Sequence, residues 1–247
     1  MKKQFATIVI CLSIMLMFCA SAFAQSLSVA CAANFTGAMK DLVKLYEKNT
    51  GTDVTCAFGS TGMLYGQIKN GAPYDVFFAA DQKRPALLFK EGLSIEPSTY
   101  AKGKLVLWSK SAKIENIATW KDVITSSELT KVGTANPKTA PYGKRSIEAL
   151  TAAGLLDKAE SKIAYGKNVA QSFLYAYSGS TDASFVALSQ ALSPKGKEGK
   201  YWSIAEAGPV TQDVCILKAG KQDAAAAFLT WLKTDEAKTI ITSYGYE

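Results

Sequence analysis

Residues 30–37 read ACAANFTG and residues 57–64 read AFGSTGML. Each is a short apolar run that passes into small, hydroxyl or amide residues where a helical pattern begins. Beyond the first, Met39, Leu42, Val43 and Tyr46 recur at i, i+3, i+4 and i+7, one face of a helix, and Asn49-Thr50-Gly51 stops it with glycine at its C-terminal end. The runs LSVACAA (27–33), TDVTCAF (52–58) and YDVFFAA (74–80) are β-like. Leu64 and Ile68 mark a short helix ending at Asn70-Gly71, and KRPALLFKEG (83–92) is another, closed by Gly92. Strands and helices in alternation demand a parallel sheet with helices on its faces.

The alternation continues to the end of the chain. GKLVLWS (103–109) is a strand that leaves this first unit; KVGTANP (131–137), SKIAYG (161–166) and DASFVAL (182–188) are further strands, with helices over 147–156 and 169–177. TQDVCILKAG (211–220) is a strand, and helices over 224–232 and 235–244 close the chain, while SPKGKEGK (193–200) reads as a polar surface loop. The expected fold is α/β with two lobes, each a mainly parallel sheet flanked by helices. Lobe 1 takes residues 25–104 plus 213–247 and lobe 2 takes 105–212. The cleft between them lies at the C-terminal ends of the strands, where open α/β sheets bind ligands.

Lys2 and Lys3 precede a long apolar run that ends at Ala22-Phe23-Ala24, which reads as a signal peptide over residues 1–24 with Gln25 as the first mature residue. The competing readings are a retained anchor and a lipid anchor on Cys19; bulky Met17 and Phe18 disfavour the latter. Removal takes two lysines and no acid, so the net charge falls from +7 to +5. That surplus is scattered, without the basic cluster interleaved with aromatics that nucleic acid requires. The chain has no histidine, which excludes Ser-His-Asp and Cys-His catalysis and His-type zinc sites. Cys31, Cys56 and Cys215 remain in the mature chain, each in an apolar run. They read as small buried hydrophobes; an odd number leaves at least one thiol free, with a Cys31–Cys56 bridge as the alternative. No apolar stripe offers a partner surface, so a monomer is expected.

Four strand-to-helix junctions share one composition: Asn34 in AANFTGAM, Ser60-Thr61-Gly62 in FGSTGML, Tyr142-Gly143 in TAPYGKR, and Asn168-Val169 in YGKNVAQ. The first turn of a helix has unpaired N–H groups and a positive dipole end. Several such termini turned into one cleft make an anion site. No junction holds Asp or Glu, which a cation site would need. Singly, each reads as an ordinary helix cap; four together, uncharged and divided between two lobes, point to an anion. Asp75 and Asp182 open matching strands and read as strand-start anchors rather than a catalytic pair.

The segments ACAANFTGAMKDL, FGSTGMLYGQIKNGAPYDVFFAADQ, TAPYGKRSIEAL, NVAQSFLYAYSGSTDASFVALS and FLTWLKTDEAKTIITSYGY resemble the periplasmic molybdate-binding proteins of molybdate ABC transporters, over nearly the whole mature chain. The resemblance implies a type II periplasmic binding protein fold, no enzymatic activity, no cofactor, molybdate or tungstate as ligand, a membrane permease as partner, and a periplasmic location. It implies that Asn34, Ser60, Thr61, Tyr142 and Val169 hold the oxyanion without countercharges, with Ser60 or Thr61 giving the key hydroxyl and Val169 a backbone N–H. Some members take a tyrosine hydroxyl from the strand matching FVALS. Ala187 stands there in this chain, which makes Tyr142 the phenol donor. Sulfate or another tetrahedral oxyanion is the alternative ligand.

Overall fold

The computed structural model describes residues 26–247, so the signal-peptide reading over 1–24 lies outside the described residues. The first elements are β1 (Leu27–Ala32), α1 (Thr36–Thr50), β2 (Val54–Gly59), α2 (Thr61–Lys69), β3 (Val76–Phe78) and α3 (Lys83–Lys90). Next come β4 (Ser98–Ser109), α4 (Trp120–Thr125), β5 (Val132–Ala135), α5 (Pro141–Ala152), α6 (Leu156–Glu160), β6 (Ile163–Gly166), α7 (Val169–Tyr177), β7 (Ala183–Ala187) and α8 (Leu188–Ala191). The chain closes with β8 (Lys200–Ser203), β9 (Pro209–Ile216), α9 (Gln222–Trp231) and α10 (Asp235–Ser243). No described helix is long and apolar enough to cross a membrane.

The strands lie in the order β2-β1-β3-β9-β4-β7-β5-β6, with β8 also on β4. β2, β1 and β3 are parallel to one another, as are β7, β5 and β6. The two parallel groups are joined by antiparallel strands: β9 pairs antiparallel with β3 and β4, and β4 antiparallel with β7 and β8. One strand carries the chain out of the first lobe and the other brings it back, so the two run in opposite directions. β4 also starts at Ser98, before the expected Gly103. Its first part pairs with β9 and its second part, from Leu105, with β7 and β8.

Two cores follow. Leu27, Val29, Met39, Leu42, Ala101, Val214 and Phe228 share one, and Leu105, Leu107, Val132, Leu150, Phe185 and Val210 share the other. Full burial of such a side chain contributes about 1.5–3 kcal/mol. The expected face of α1 is the buried one at Met39, Leu42 and Tyr46. Helix α5 begins at Pro141, six residues before the apolar period starts. Proline suits a first helical position, where its missing N–H would have no partner. The early turn is buried through Tyr142, Gly143 and Ser146, and a Cβ on Gly143 would meet the Ala135 carbonyl oxygen at 2.0 Å.

Asp75 and Asp182 are strand-start anchors. Asp75 accepts from the backbone N–H groups of Ser28 and Lys221 at 2.6 and 2.7 Å, and Asp182 from those of Thr130 and Lys131 at 2.8 and 2.9 Å. The 193–200 segment is more than a surface loop: Gly196 is buried and its carbonyl accepts from the Trp108 indole at 2.8 Å.

Cys31, Cys56 and Cys215 are all free thiols. Burial pushes Cys56 and Cys215 up to about 12 and Cys31 well above the usual thiol range. At pH 8 the native mature protein should therefore react only slowly with a chromogenic thiol reagent and release three equivalents on denaturation. Release of one equivalent would show a Cys31–Cys56 bridge.

Candidate anion-binding site

After β1 the chain makes a short 3-10 turn, Ala33–Phe35, before α1. Asn34 does not cap the helix, contrary to the cap reading. Its side chain turns inward, where Nδ2 donates to Gln212 Oε1 at 2.6 Å and to the Tyr246 hydroxyl at 3.0 Å. Its carbonyl accepts from the Ser189 and Tyr246 hydroxyls, each at 2.8 Å. Phe35 anchors the turn, with ring centroids 5.0 Å from Tyr100 and Tyr246 in edge-to-face contact. Such pairs add about 0.5–1.5 kcal/mol beyond area burial.

After β2, Ser60 caps α2 by accepting from Met63 N at 3.4 Å, and Thr61 Oγ1 accepts from Ala80 N at 3.0 Å. Each hydroxyl thus uses its oxygen on a backbone N–H and keeps its proton to donate. Gly62 N donates to the Thr139 carbonyl across the cleft at 2.8 Å. A Cβ on Gly62 would lie 2.8 Å from that oxygen, so glycine is what lets the two sides meet. Tyr142 is the second residue of α5 and lies in a helical turn, not a loop. Asn168 caps α7 by accepting from Gln171 N at 3.0 Å, and Val169 opens that helix, so its N–H has no partner within it.

These residues come together. Asn34, Ser60, Thr61, Tyr142, Asn168 and Val169 line one cavity of about 10 Å³, so all five residues expected from the sequence share it. Cap geometry holds at Ser60 and Asn168 and fails at Asn34 and Tyr142. Among the described residues, four buried side-chain polar atoms have no hydrogen-bond partner, and three sit here: Asn34 Oδ1, Tyr142 OH and Gln212 Nε2. A buried unpaired group costs about 1–3 kcal/mol, so such a cluster calls for an explanation. Tyr142 OH and Gln212 Nε2 face the bare Cα of Gly103, 2.2 and 2.8 Å from where a Cβ would stand.

The lining has no carboxylate or ammonium. Burial pushes the phenols of Tyr100, Tyr142 and Tyr246 well above the usual range, and the nearby Asn34 amide offsets this only partly at Tyr142. All three remain protonated at neutral pH. Outside the cavity, and sharing Ala80, Ala140 and Pro141 with it, runs a groove of about 430 Å³ that carries Lys83, Arg84, Lys138, Lys144 and Arg145 against Asp81 and Glu148. Arg84 pairs with Asp81, and Lys144 and Arg145 with Glu148 at 3.6 and 3.2 Å. The groove is positive and the cavity neutral.

Residues 27–247 match the family model described as bacterial extracellular solute-binding protein. The chain belongs to that family. As a solute-binding protein it is 41% identical to the molybdate-binding protein ModA of Rhodobacter capsulatus over 91% of this chain and 89% of that one. It is 40% identical to the ModA of Azotobacter vinelandii, over 100% of this chain and 99% of that one. The solved structure of the Azotobacter vinelandii periplasmic molybdate-binding protein superposes with a TM-score of 0.84 at 37% identity, covering 90% of this chain and 98% of that one.

Three residues of this solute-binding protein's site escape the sequence reading: Ser189, Gln212 and Tyr246. Gln212 lies in a strand that already mixes Thr211 and Asp213 with apolar residues, so its amide does not stand out. Tyr246 lies past the last helix and Ser189 in a four-residue helix, where no periodicity marks them.

Gly103→Ala should lower stability by about 1–3 kcal/mol, the usual effect of overpacking, because the new methyl would displace Tyr142 and Gln212 together. Urea unfolding at pH 7 measures it, and an unchanged midpoint would mean the cluster yields freely.

Proposed function

We propose that this solute-binding protein captures molybdate, and equally tungstate, in the cavity between its lobes and delivers it to the membrane permease of an ABC transporter. It is a binding protein and not an enzyme. The observation that carries the reading is the convergence of neutral polar groups from both lobes on one cavity: the hydroxyls of Ser60, Thr61 and Tyr142, the Asn34 amide and the Val169 N–H. Molybdate is fully deprotonated at neutral pH and offers acceptors only. A donor-only cavity satisfies it, whereas a carboxylate would repel it. Phosphate, which keeps a proton at neutral pH, would leave that proton unpaired. Sulfate is also an acceptor-only dianion but smaller, and is the alternative ligand.

The lobes are residues 25–104 plus 213–247 and residues 105–212. Supporting this division, Ala101 and Val214 pack in one core and Leu105 and Val210 in the other, so the cores change over within β4 and β9. The lobes close like a hinge around the anion, and the closed form is what the permease meets. The mature protein starts at Gln25 after loss of residues 1–24, works as a monomer, and resides in the periplasm. The positive groove draws dianions to the mouth before any neutral donor selects them.

Thermal unfolding of residues 25–247 with molybdate, tungstate, sulfate and phosphate at equal concentration tests the reading, because a ligand of the native state raises the midpoint. Molybdate and tungstate should raise it strongly and sulfate and phosphate little. An equal rise with sulfate would favour the alternative, and no rise with any anion would remove the proposal.

Ser60→Ala and Thr61→Ala should each weaken molybdate binding by about 1.5–3 kcal/mol, the worth of a hydrogen bond to a charged group, as read by titration calorimetry. Since the raised phenol of Tyr142 ionises only well above pH 10, its proton stays in place throughout the neutral range. Affinity should therefore be flat from pH 7 to 9, and a loss across that window would show an ionising donor in the site.

A further inference from the structure

Two primary amides, Asn34 and Gln212, meet behind the cavity, and both are buried. The Nδ2 of Asn34 is spent on Gln212 Oε1 and the Tyr246 hydroxyl. Asn34 lines the cavity and those two residues do not, so with Nδ2 committed behind the cavity Oδ1 is the end left over for a ligand. Oδ1 has no partner, and neither has Gln212 Nε2. An acceptor is the wrong end to show an anion that itself only accepts.

A primary amide keeps nearly the same shape when turned end for end, so a half-turn of both side chains preserves the packing and reverses the polarity of the pair. Gln212 Nε2 then donates to Asn34 Oδ1 through the contact now 2.6 Å long. It also donates to Tyr100 OH, now 3.1 Å from Oε1, whose own proton goes to the Ala79 carbonyl at 3.2 Å. Tyr246 OH donates to Asn34 Oδ1, while Ser189 continues to donate to the Asn34 carbonyl. Every bond of the turned arrangement has one donor and one acceptor, and Asn34 Nδ2 becomes the end left over for a ligand.

We propose that Gln212 is the positioning residue that turns the Asn34 amide, so that its NH2 end meets the oxyanion. Gln212 does not touch the ligand; it acts through Asn34. The proposal rests on the reading of Asn34 as an anion donor.

The test is calorimetric titration of the mature protein with sodium molybdate for the wild type, Gln212→Met, Asn34→Ala and the double variant. Gln212→Met should bind about tenfold more weakly, Asn34→Ala at least as weakly, and the double variant no more weakly than Asn34→Ala, since a residue acting through another has no effect once that other is gone. Unaltered binding in Gln212→Met, or a full additional loss in the double variant, overturns the positioning role while leaving molybdate capture intact. A wild type that does not bind molybdate overturns the function itself. If Gln212→Met does not fold, the side-chain amide 1H–15N signals of the wild type decide. Molybdate should move the NH2 pairs of Asn34 and Gln212 together, and movement of Asn34 with Gln212 unmoved overturns the proposal.

Discussion

Strand β4 hydrogen-bonds to β9 along its first part and to β7 and β8 along its second, and this ladder sets where both groups of parallel strand tips point. The tip of β1 ends in Asn34, that of β2 in Ser60, and β5 and β6 lead into Tyr142 and Val169. Both groups are tied to β4, one through β9 and the other through β7. Gly103 sits near the point where β4 changes partners, and its missing side chain is the space into which Tyr142 and Gln212 fit. Ala32, Ala33 and Ala80, at the tips of the first three-strand group, pack into the core built mainly by the second, so small side chains make the approach possible.

In the proposed function the arrangement separates attraction from selection. Charges lie in the outer groove, where solvent screens them and exchange is fast. The inner cavity has neutral donors, each fixed by a second bond: Ser60 to Met63, Thr61 to Ala80, Asn34 to Gln212. A buried cation would grip any anion, whereas oriented hydroxyls, an amide and a helix-terminal N–H discriminate by geometry and by the protonation of the ligand. Burial of the phenols holds them in their donating form.

Much of this was legible in the sequence because it is local. The period of Met39, Leu42 and Tyr46, the small residues at the strand tips and the caps at Ser60 and Asn168 each depend on neighbours a few positions away. The four junctions that hold Asn34, Ser60, Thr61, Tyr142 and Val169 could be singled out for that reason, and the family resemblance picked those five residues from them. The start of β4 was not legible, because Ser98–Lys102 is mostly polar and pairs through backbone groups with β9. The early turn of α5 was hidden because its burial comes from a tyrosine, a glycine and a serine, not from an apolar period. Gln212 and Tyr246 were out of reach, since their partner Asn34 is 178 and 212 positions away.

The route of the chain also sets an order of assembly. The second part of β4 and strands β5 to β8 come from one continuous stretch, and the core they share is completed by Val210 at the start of β9. The first lobe lacks the strand between β3 and β4 until β9 follows, and lacks α9 and α10 until nearly the last residue. Gln212 and Tyr246, which hold the Asn34 turn, follow β4 to β8 in the chain. A chain emerging N-terminus first therefore has most of its second lobe in hand before the residues that hold the proposed anion cavity in shape have appeared.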